Sequence, residues 1–100
     1  MSEWRAIMDL AEAAKQELVS DKAQGRKAFE RLLCDFPRDG MVYFKRGEAF
    51  EVVGEYGLAM ADFRMAESLF PMPNWKASAR DGFLRAQNRL SFHTRVTNSE

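Results

Sequence analysis

The sequence is poor in the side chains that most often carry chemistry, since its 100 residues include one cysteine, Cys34, and one histidine, His93. A single cysteine cannot close an intrachain disulfide. Cys34 lies between apolar residues in LLCDF, which predicts a small buried or half-buried side chain. A single histidine cannot build a histidine dyad or a histidine cluster for a metal, and the phosphate-binding patterns G-x-x-x-x-G-K and G-x-G-x-x-G are missing. We therefore expect no enzyme activity, no catalytic residue, no metal and no cofactor.

Long apolar stretches are also missing, since no run approaches the roughly 18 residues that a membrane span requires. The segment MSEWRAIMDLAEAAK contains acids and lacks the apolar core of a signal peptide. These features predict a cytoplasmic protein without a membrane partner. The 15 Lys and Arg residues balance the 15 Asp and Glu residues, which argues against a nucleic-acid partner. The charge is nevertheless uneven, because residues 1–71 carry −3 and residues 72–100 carry +3.

A repeated pattern of 34 residues is the main positive feature of the sequence. The segments FERLLCDFP and FRMAESLFP align without a gap, and each ends in a proline that stops a helix. Three pairs of identical residues stand 34 positions apart: Phe29 and Phe63, Phe36 and Phe70, and Pro37 and Pro71.

Apolar residues recur at helical spacing along the chain, and no strand pattern competes with them. Asp21, followed by Gln24, is typical of a helix start. Asp39 can begin a further helix, and Gly54 can end it. The pattern predicts five helices, over about residues 2–19, 22–36, 40–53, 55–70 and 75–90.

The third and fourth predicted helices carry a known spacing. Tyr43, Gly47 and Phe50 form Y-x₂-R-G-x₂-F, and the next helix continues as A-x₃-F-x₂-A-x₄-P from Ala59 to Pro71. This pattern resembles the tetratricopeptide repeat (TPR), a 34-residue helical hairpin. The resemblance implies an all-α fold in which antiparallel helical hairpins stack as a short right-handed superhelix of five helices. It implies one domain over residues 1–90, with repeat 1 at about 2–37, repeat 2 at about 40–73, a capping helix at about 75–90 and a frayed polar tail at 91–100.

Gly47 poses a physical question, because a glycine inside a helix costs ~1 kcal/mol relative to alanine. We expect it to face Ala59 and so to let two helices approach closely. Arg46 stands where the family usually has leucine, and we expect its guanidinium to remain in water. In the first predicted helix the corresponding aromatic residue is Trp4, which stands about five residues earlier than a 34-residue spacing from Tyr43 requires. The residues expected to pack the repeats together are Trp4, Tyr43, Gly47, Phe50, Ala59, Phe63, Ala66 and Pro71.

The resemblance also implies a function, since the first helix of each repeat lines a concave surface. We expect a groove there that binds a peptide or helix of a partner protein, as in an adaptor, scaffold or co-chaperone. Phe44 and Val52 would supply apolar contact and the charged residues would set the register. The predicted groove residues are Met41, Phe44, Lys45, Glu48, Glu51 and Val52 from the third helix, with Arg5, Asp9 and Glu12 from the first.

Other interpretations of the sequence stay open. The same helices could form an ordinary bundle in which the glycine is coincidental. The acidic body and the basic last helix could instead favour a homo-oligomer, or a small secretion-type chaperone that shields a client subunit.

Overall fold

Five α-helices and short turns make up the computed structural model, which describes the backbone of residues 3–98 and the side chains of residues 3–92. No strand occurs in that part of the chain. The all-α class and the number of helices are therefore as the sequence predicts. The helices are α1 (Glu3–Ser20), α2 (Lys22–Asp35), α3 (Gly40–Val52), α4 (Tyr56–Leu69) and α5 (Pro73–Asn98).

Local signals explain where these helices begin and end. The Asp21 carboxylate accepts a hydrogen bond from the backbone N–H of Gln24, which caps α2. The Asp39 carboxylate accepts from the N–H groups of Met41 and Val42 at the start of α3. Gly54 adopts a φ of +83° just after α3, a conformation that other residues rarely take.

The fifth helix differs from its prediction. It begins at Pro73 and continues to Asn98, so the expected end near residue 90 and the frayed tail from residue 91 are wrong. The predicted tail residues 99–100 lie outside the described part of the chain. After Gly82 the helix contains neither glycine nor proline, and nothing local interrupts it. Because α4 has 14 residues and α5 has 26, α4 can cover only about half of α5.

Helices that follow one another along the chain pack as antiparallel neighbours. Gly40 lies against the ring of Phe70, whereas Gly47, two turns further along α3, lies against Phe63. The contacts therefore run in opposite directions along α3 and α4. Equivalent packing joins α1 to α2 and α4 to α5.

Alternate helices lie side by side in parallel, and this relation sets the register of the fold. Lys45 pairs with Glu12, and Glu48 pairs with Lys15. Both pairs join residues 33 positions apart, so α3 repeats the placement of α1. From α5, Arg85 pairs with Glu51 of α3 at a separation of 34 positions. This register places Ala14 in the position that Gly47 occupies on α3.

Phe63 is the centre of the packing between α3, α4 and α5. It is fully buried, and its ring lies between two glycines. A Cβ atom on Gly47 would lie 3.2 Å from the ring, and one on Gly82 would lie 2.6 Å from it. The nearest neighbour of Gly47 is therefore Phe63 and not the predicted Ala59. The glycine makes room for an aromatic ring, whose burial contributes ~1.5–3 kcal/mol.

The other predicted packing residues divide into two groups. Phe50, Ala59 and Ala66 are buried, and Tyr43 is half-buried. Pro71 is exposed in the turn before α5. Trp4 is 57% exposed, so its expected packing role is wrong, because α1 begins beyond the edge of the helices that could cover it.

Cys34 is exposed, which corrects the prediction of a buried or half-buried thiol. Its apolar neighbours in LLCDF do reach the core, since Leu32 and Leu33 are partly buried against it. Helix α2 packs on α1 along one side and only thinly on α3. The remaining side of α2, which includes Cys34, faces solvent.

Candidate functional site

Arg46 and Asp62 form an ion pair between α3 and α4. Arg46 Nε and Nη2 donate to the two carboxylate oxygens of Asp62 at 2.7 and 2.8 Å, and Asp62 is 5% exposed. The prediction that the Arg46 guanidinium remains in water is therefore wrong, because the carboxylate on α4 replaces water as its partner. Burial raises the pKa of Asp62, and the hydrogen bonds from Arg46 offset part of that rise. Removing either partner would leave a charge without compensation, so this pair serves the fold.

The surface predicted to form a groove is a set of ion pairs, which we call the paired face. Lys45 Nζ lies 2.8 Å from Glu12 and 3.6 Å from Glu48, and Lys15 Nζ lies 3.2 Å from Glu48. Its six members are Glu12, Lys15, Lys45, Glu48, Glu51 and Arg85.

The electrostatics of the paired face follow from these contacts. Hydrogen bonds from Lys45 and Gln16 lower the pKa of Glu12. Burial by itself would lower the pKa of Lys45, but hydrogen bonding to Glu12 and the charge of Glu48 raise it. A hydrogen bond to Glu51 raises the pKa of Arg85. These shifts favour the charged forms of Glu12, Lys45 and Arg85, and the ion pairs largely satisfy the charges of the paired face within the protein.

Phe44 does not lie in an open groove. It is 9% exposed, and its ring contacts those of Phe63 and Phe70 at centroid distances of 5.6 and 5.9 Å. Its predicted role in partner contact is therefore wrong, because α4 covers that side of α3. Val52, by contrast, is 62% exposed.

The remaining predicted groove residues lie toward the end of the molecule where α1 and α3 begin. Arg5 and Asp9 are exposed on the first half of α1, and Met41 is half-buried at the start of α3. The structure thus brings Lys45, Glu48, Glu51 and Glu12 into the paired face. It buries Phe44 instead, whereas Val52 lies exposed one turn after Glu48 on the same side of α3.

An apolar pocket of about 540 Å³ lies where α1, α3 and α5 begin. Its volume is within the ~300–1,000 Å³ that binding pockets commonly span. We call it the end pocket. Its walls come from the start of α1, the turn before α3 and the turn between α4 and α5. The lining residues are Trp4, Arg38, Asp39, Gly40, Met41, Leu69, Phe70, Pro71, Met72 and Trp75.

The end pocket continues the aromatic core to the surface. The ring centroid of Phe70 lies 5.9 Å from that of Phe44 and 5.5 Å from that of Trp75. Trp75 is half-buried, whereas Trp4 and Met72 are 57% and 52% exposed. The rigid inner wall is thus held by the core, and the outer wall faces solvent.

Two arginines flank the end pocket. The Arg5 guanidinium lies 5.5 Å from the ring centroid of Trp4, which is a cation–π contact. Arg38 belongs to the lining itself. Neither has an ion-pair partner among residues 3–92.

Of the pocket residues, Trp4 and Met41 were predicted to have other roles, whereas Met72 and Trp75 were not predicted as site residues. A usable signal was present in the turn Pro71-Met72-Pro73. A turn between helices normally carries polar residues, and this one places a large apolar side chain between two prolines. That Met72 shares a pocket with Trp4, 68 residues earlier in the chain, depends on the tertiary structure.

Comparison of the chain with protein-family models, with curated proteins and with solved structures finds no match. Among the side chains that the structure describes, no cluster of three or more His, Cys, Asp or Glu could hold a metal ion. Within residues 3–98, every helix is too short or too polar to cross a membrane.

Proposed function

We propose that this protein is a non-catalytic protein–protein interaction module that binds a peptide or helix of a partner protein. The partner lies along the paired face and inserts an apolar side chain into the end pocket. The observation that carries the proposal is the end pocket, whose outer wall presents Trp4 and Met72 to solvent beside a rigid aromatic floor. Soluble proteins rarely expose adjoining large apolar side chains without a use for them.

The energetics favour an anchored mode of binding. Full burial of a large apolar side chain contributes ~1.5–3 kcal/mol. Insertion of a partner side chain would bury its own apolar surface and also the exposed surfaces of Trp4 and Met72. The paired face would add little affinity, because its charges are already compensated. It would instead fix the orientation of the partner.

We propose further that the chain is a short array of the TPR type, with two repeats and a long capping helix. The parallel pairs Glu12–Lys45 and Lys15–Glu48 support this assignment, as does the Arg85–Glu51 pair. Their separations of 33 and 34 positions match the 34-residue period of the sequence. In such an array the alternate helices α1, α3 and α5 line one surface, which is where the paired face lies.

Two methionines provide a test of the proposed binding site. Met72 and Met65 are 52% and 44% exposed, but only Met72 lines the end pocket. Proteins captured from a lysate by the wild-type chain should be lost with Met72→Glu and retained with Met65→Glu. Circular dichroism should show equal helix content in all three proteins. Equal capture by both variants would refute binding at the end pocket.

Self-assembly is the second candidate function, and α5 favours it. Leu84, Leu90 and Phe92 are exposed on this helix, and residues 72–100 carry +3 against −3 for the rest of the chain. A second copy could cover the exposed end of α5 and pair these charges. Sedimentation velocity over a range of protein and salt concentrations separates the candidates. A species that grows with concentration and dissociates in high salt supports assembly, and a constant monomer supports the binding module.

A further inference from the structure

We infer that the protein forms a two-fold symmetric dimer through the outer side of the α1–α2 hairpin, with a second copy of this chain as the partner. The surface is a groove of about 370 Å³ between the two helices, which we call the edge groove. It shares no lining residue with the end pocket, so the inference goes beyond the proposed binding of a partner protein. The lining residues are Leu10, Ala13, Ala14, Glu17, Ala28, Arg31, Leu32 and Asp35.

The position of the edge groove in the fold explains why it is open. Helices α1, α3 and α5 lie side by side, so α1 and α5 are the two ends of the stack. The free side of α5 is polar, since Asp81, Asn88 and Ser91 surround the exposed Leu84 at helical spacing. Stacked helical repeats need such polar ends to stay soluble. Helix α1 has no comparable polar end.

The free side of α1 is apolar instead. Ala6, Leu10 and Ala13 follow one another at spacings of four and three residues, and all three are exposed. Leu10 has 53% of its surface exposed. Beside them, Ala28 and Leu32 of α2 are half-buried. The alanines allow another helix to approach closely, and the exposed leucine gains by insertion into an apolar groove.

The charges of the hairpin are arranged so that a second copy complements them. Glu17 is exposed on the same side of α1 as Leu10, and Lys27 is exposed on α2, one turn before Arg31. Neither Glu17 nor Lys27 has an ion-pair partner among the described side chains. Arg31 and Asp35 stand four positions apart on α2, and their opposite charges offset each other. The α1 side of the edge groove therefore carries a net negative charge and the α2 side a net positive one.

The levels of these residues along the hairpin determine how two copies would meet. Gly25 lies against Leu18 and the helices are antiparallel, so Glu17 is level with the turn of α2 that contains Lys27. A two-fold axis parallel to the helices places α1 of each copy on α2 of the other without shifting these levels. Glu17 of one copy then faces Lys27 of the second copy, and the same pair forms again across the axis. Leu10 of each copy enters the edge groove of the other.

Sedimentation velocity of the full chain tests the dimer. The wild type should convert from monomer to dimer as its concentration rises and should form nothing larger, because a two-fold interface is closed. Leu10→Glu should weaken dimerisation by about tenfold or more, since it brings a charge into an apolar groove. Leu84→Glu is the matched control, because Leu84 is 47% exposed at the opposite end of the stack. It should leave dimerisation unchanged.

An exchange of charges tests the two-fold arrangement itself. Glu17→Lys and Lys27→Glu should each weaken the dimer by about three- to tenfold, because each creates two repulsive pairs. The combined variant restores opposite charges and should dimerise as the wild type does. Both positions are exposed, so circular dichroism should show the same helix content in every variant.

A monomer at all concentrations overturns the inference, as does a dimer that Leu84→Glu weakens and Leu10→Glu does not. A combined charge variant that dimerises more weakly than either single variant overturns the two-fold arrangement. The proposed function is judged separately, by the proteins that Met72→Glu and Met65→Glu capture. Leu10→Glu should capture the same proteins as the wild type, because it lies outside the end pocket.

Discussion

Glycine has different roles at the two main helix junctions of this protein. Between α1 and α2, a Cβ atom on Gly25 would overlap the backbone of Leu18. Between α3, α4 and α5, the glycines Gly47 and Gly82 border the ring of Phe63 instead. The first junction is a backbone-to-backbone contact, whereas the second is a slot for a side chain. A backbone cannot move aside, but a ring can shift by a few tenths of an ångström.

The comparison predicts its largest effect at Gly25. Gly25→Ala should destabilise the protein by about 3 kcal/mol, because the methyl group must push two helix backbones apart. The gain of ~1 kcal/mol in helix propensity is too small to compensate. Urea denaturation followed by circular dichroism measures the change in the free energy of unfolding. Wild-type stability in this variant would contradict the backbone contact.

Gly82 should be the next most sensitive position. Gly82→Ala brings a methyl group to 2.6 Å from the ring of the fully buried Phe63. Because Gly47 confines the opposite side of the ring, we expect a loss of about 1–2 kcal/mol. Gly82→Ala should cost less stability in a Phe63→Leu background than in the wild type, because the smaller side chain leaves room for the methyl group. A double-mutant cycle measures this difference. Strict additivity would show that the ring is not the cause.

Gly47→Ala should destabilise the protein less than Gly25→Ala or Gly82→Ala does. Its added Cβ atom would lie 3.2 Å from Phe63, which requires only a small movement. The gain of ~1 kcal/mol in helix propensity opposes that cost. We expect a change of less than about 0.5 kcal/mol in the free energy of unfolding. A loss as large as that of Gly82→Ala would mean that the two sides of the slot are equally tight.

Gly57 provides the control for propensity without packing. A Cβ atom there would meet nothing within 4 Å. Gly57→Ala should therefore stabilise the protein by up to about 0.5–1 kcal/mol. Chemical denaturation under the same conditions completes the series. If Gly57→Ala is destabilising, propensity cannot be the favourable contribution assumed for Gly47→Ala.

The candidate site was predictable only in part. Helix α3 buries residues over more than half of its circumference, including Val42, Phe44, Gly47 and Phe50. A sequence pattern that assumes one apolar side therefore cannot tell the core side from the exposed side. That is why Phe44 was expected in a groove. Met41 was expected in the groove because of its position between packing residues, and it lines the end pocket instead.

The contacts of the charged residues were also predictable only in part. Lys45, Glu48 and Glu12 were expected on one surface, and the structure brings them together. Their mutual pairing could not be read from the sequence, because it depends on the lateral register of α1 against α3. The burial and pairing of Arg46 likewise could not be predicted from the sequence, because its partner Asp62 lies 16 residues away on another helix.

The amino-acid sequence alone determined the five helices and most of their boundaries, because caps, glycines and prolines act within a few residues. Only the tertiary structure decided which apolar side chains became core and which became the end pocket. The pocket draws Trp4, Arg38 and the Phe70–Trp75 pair together from three separate segments. Its existence depends on the register in which α1, α3 and α5 pack side by side, and no local interaction specifies that register.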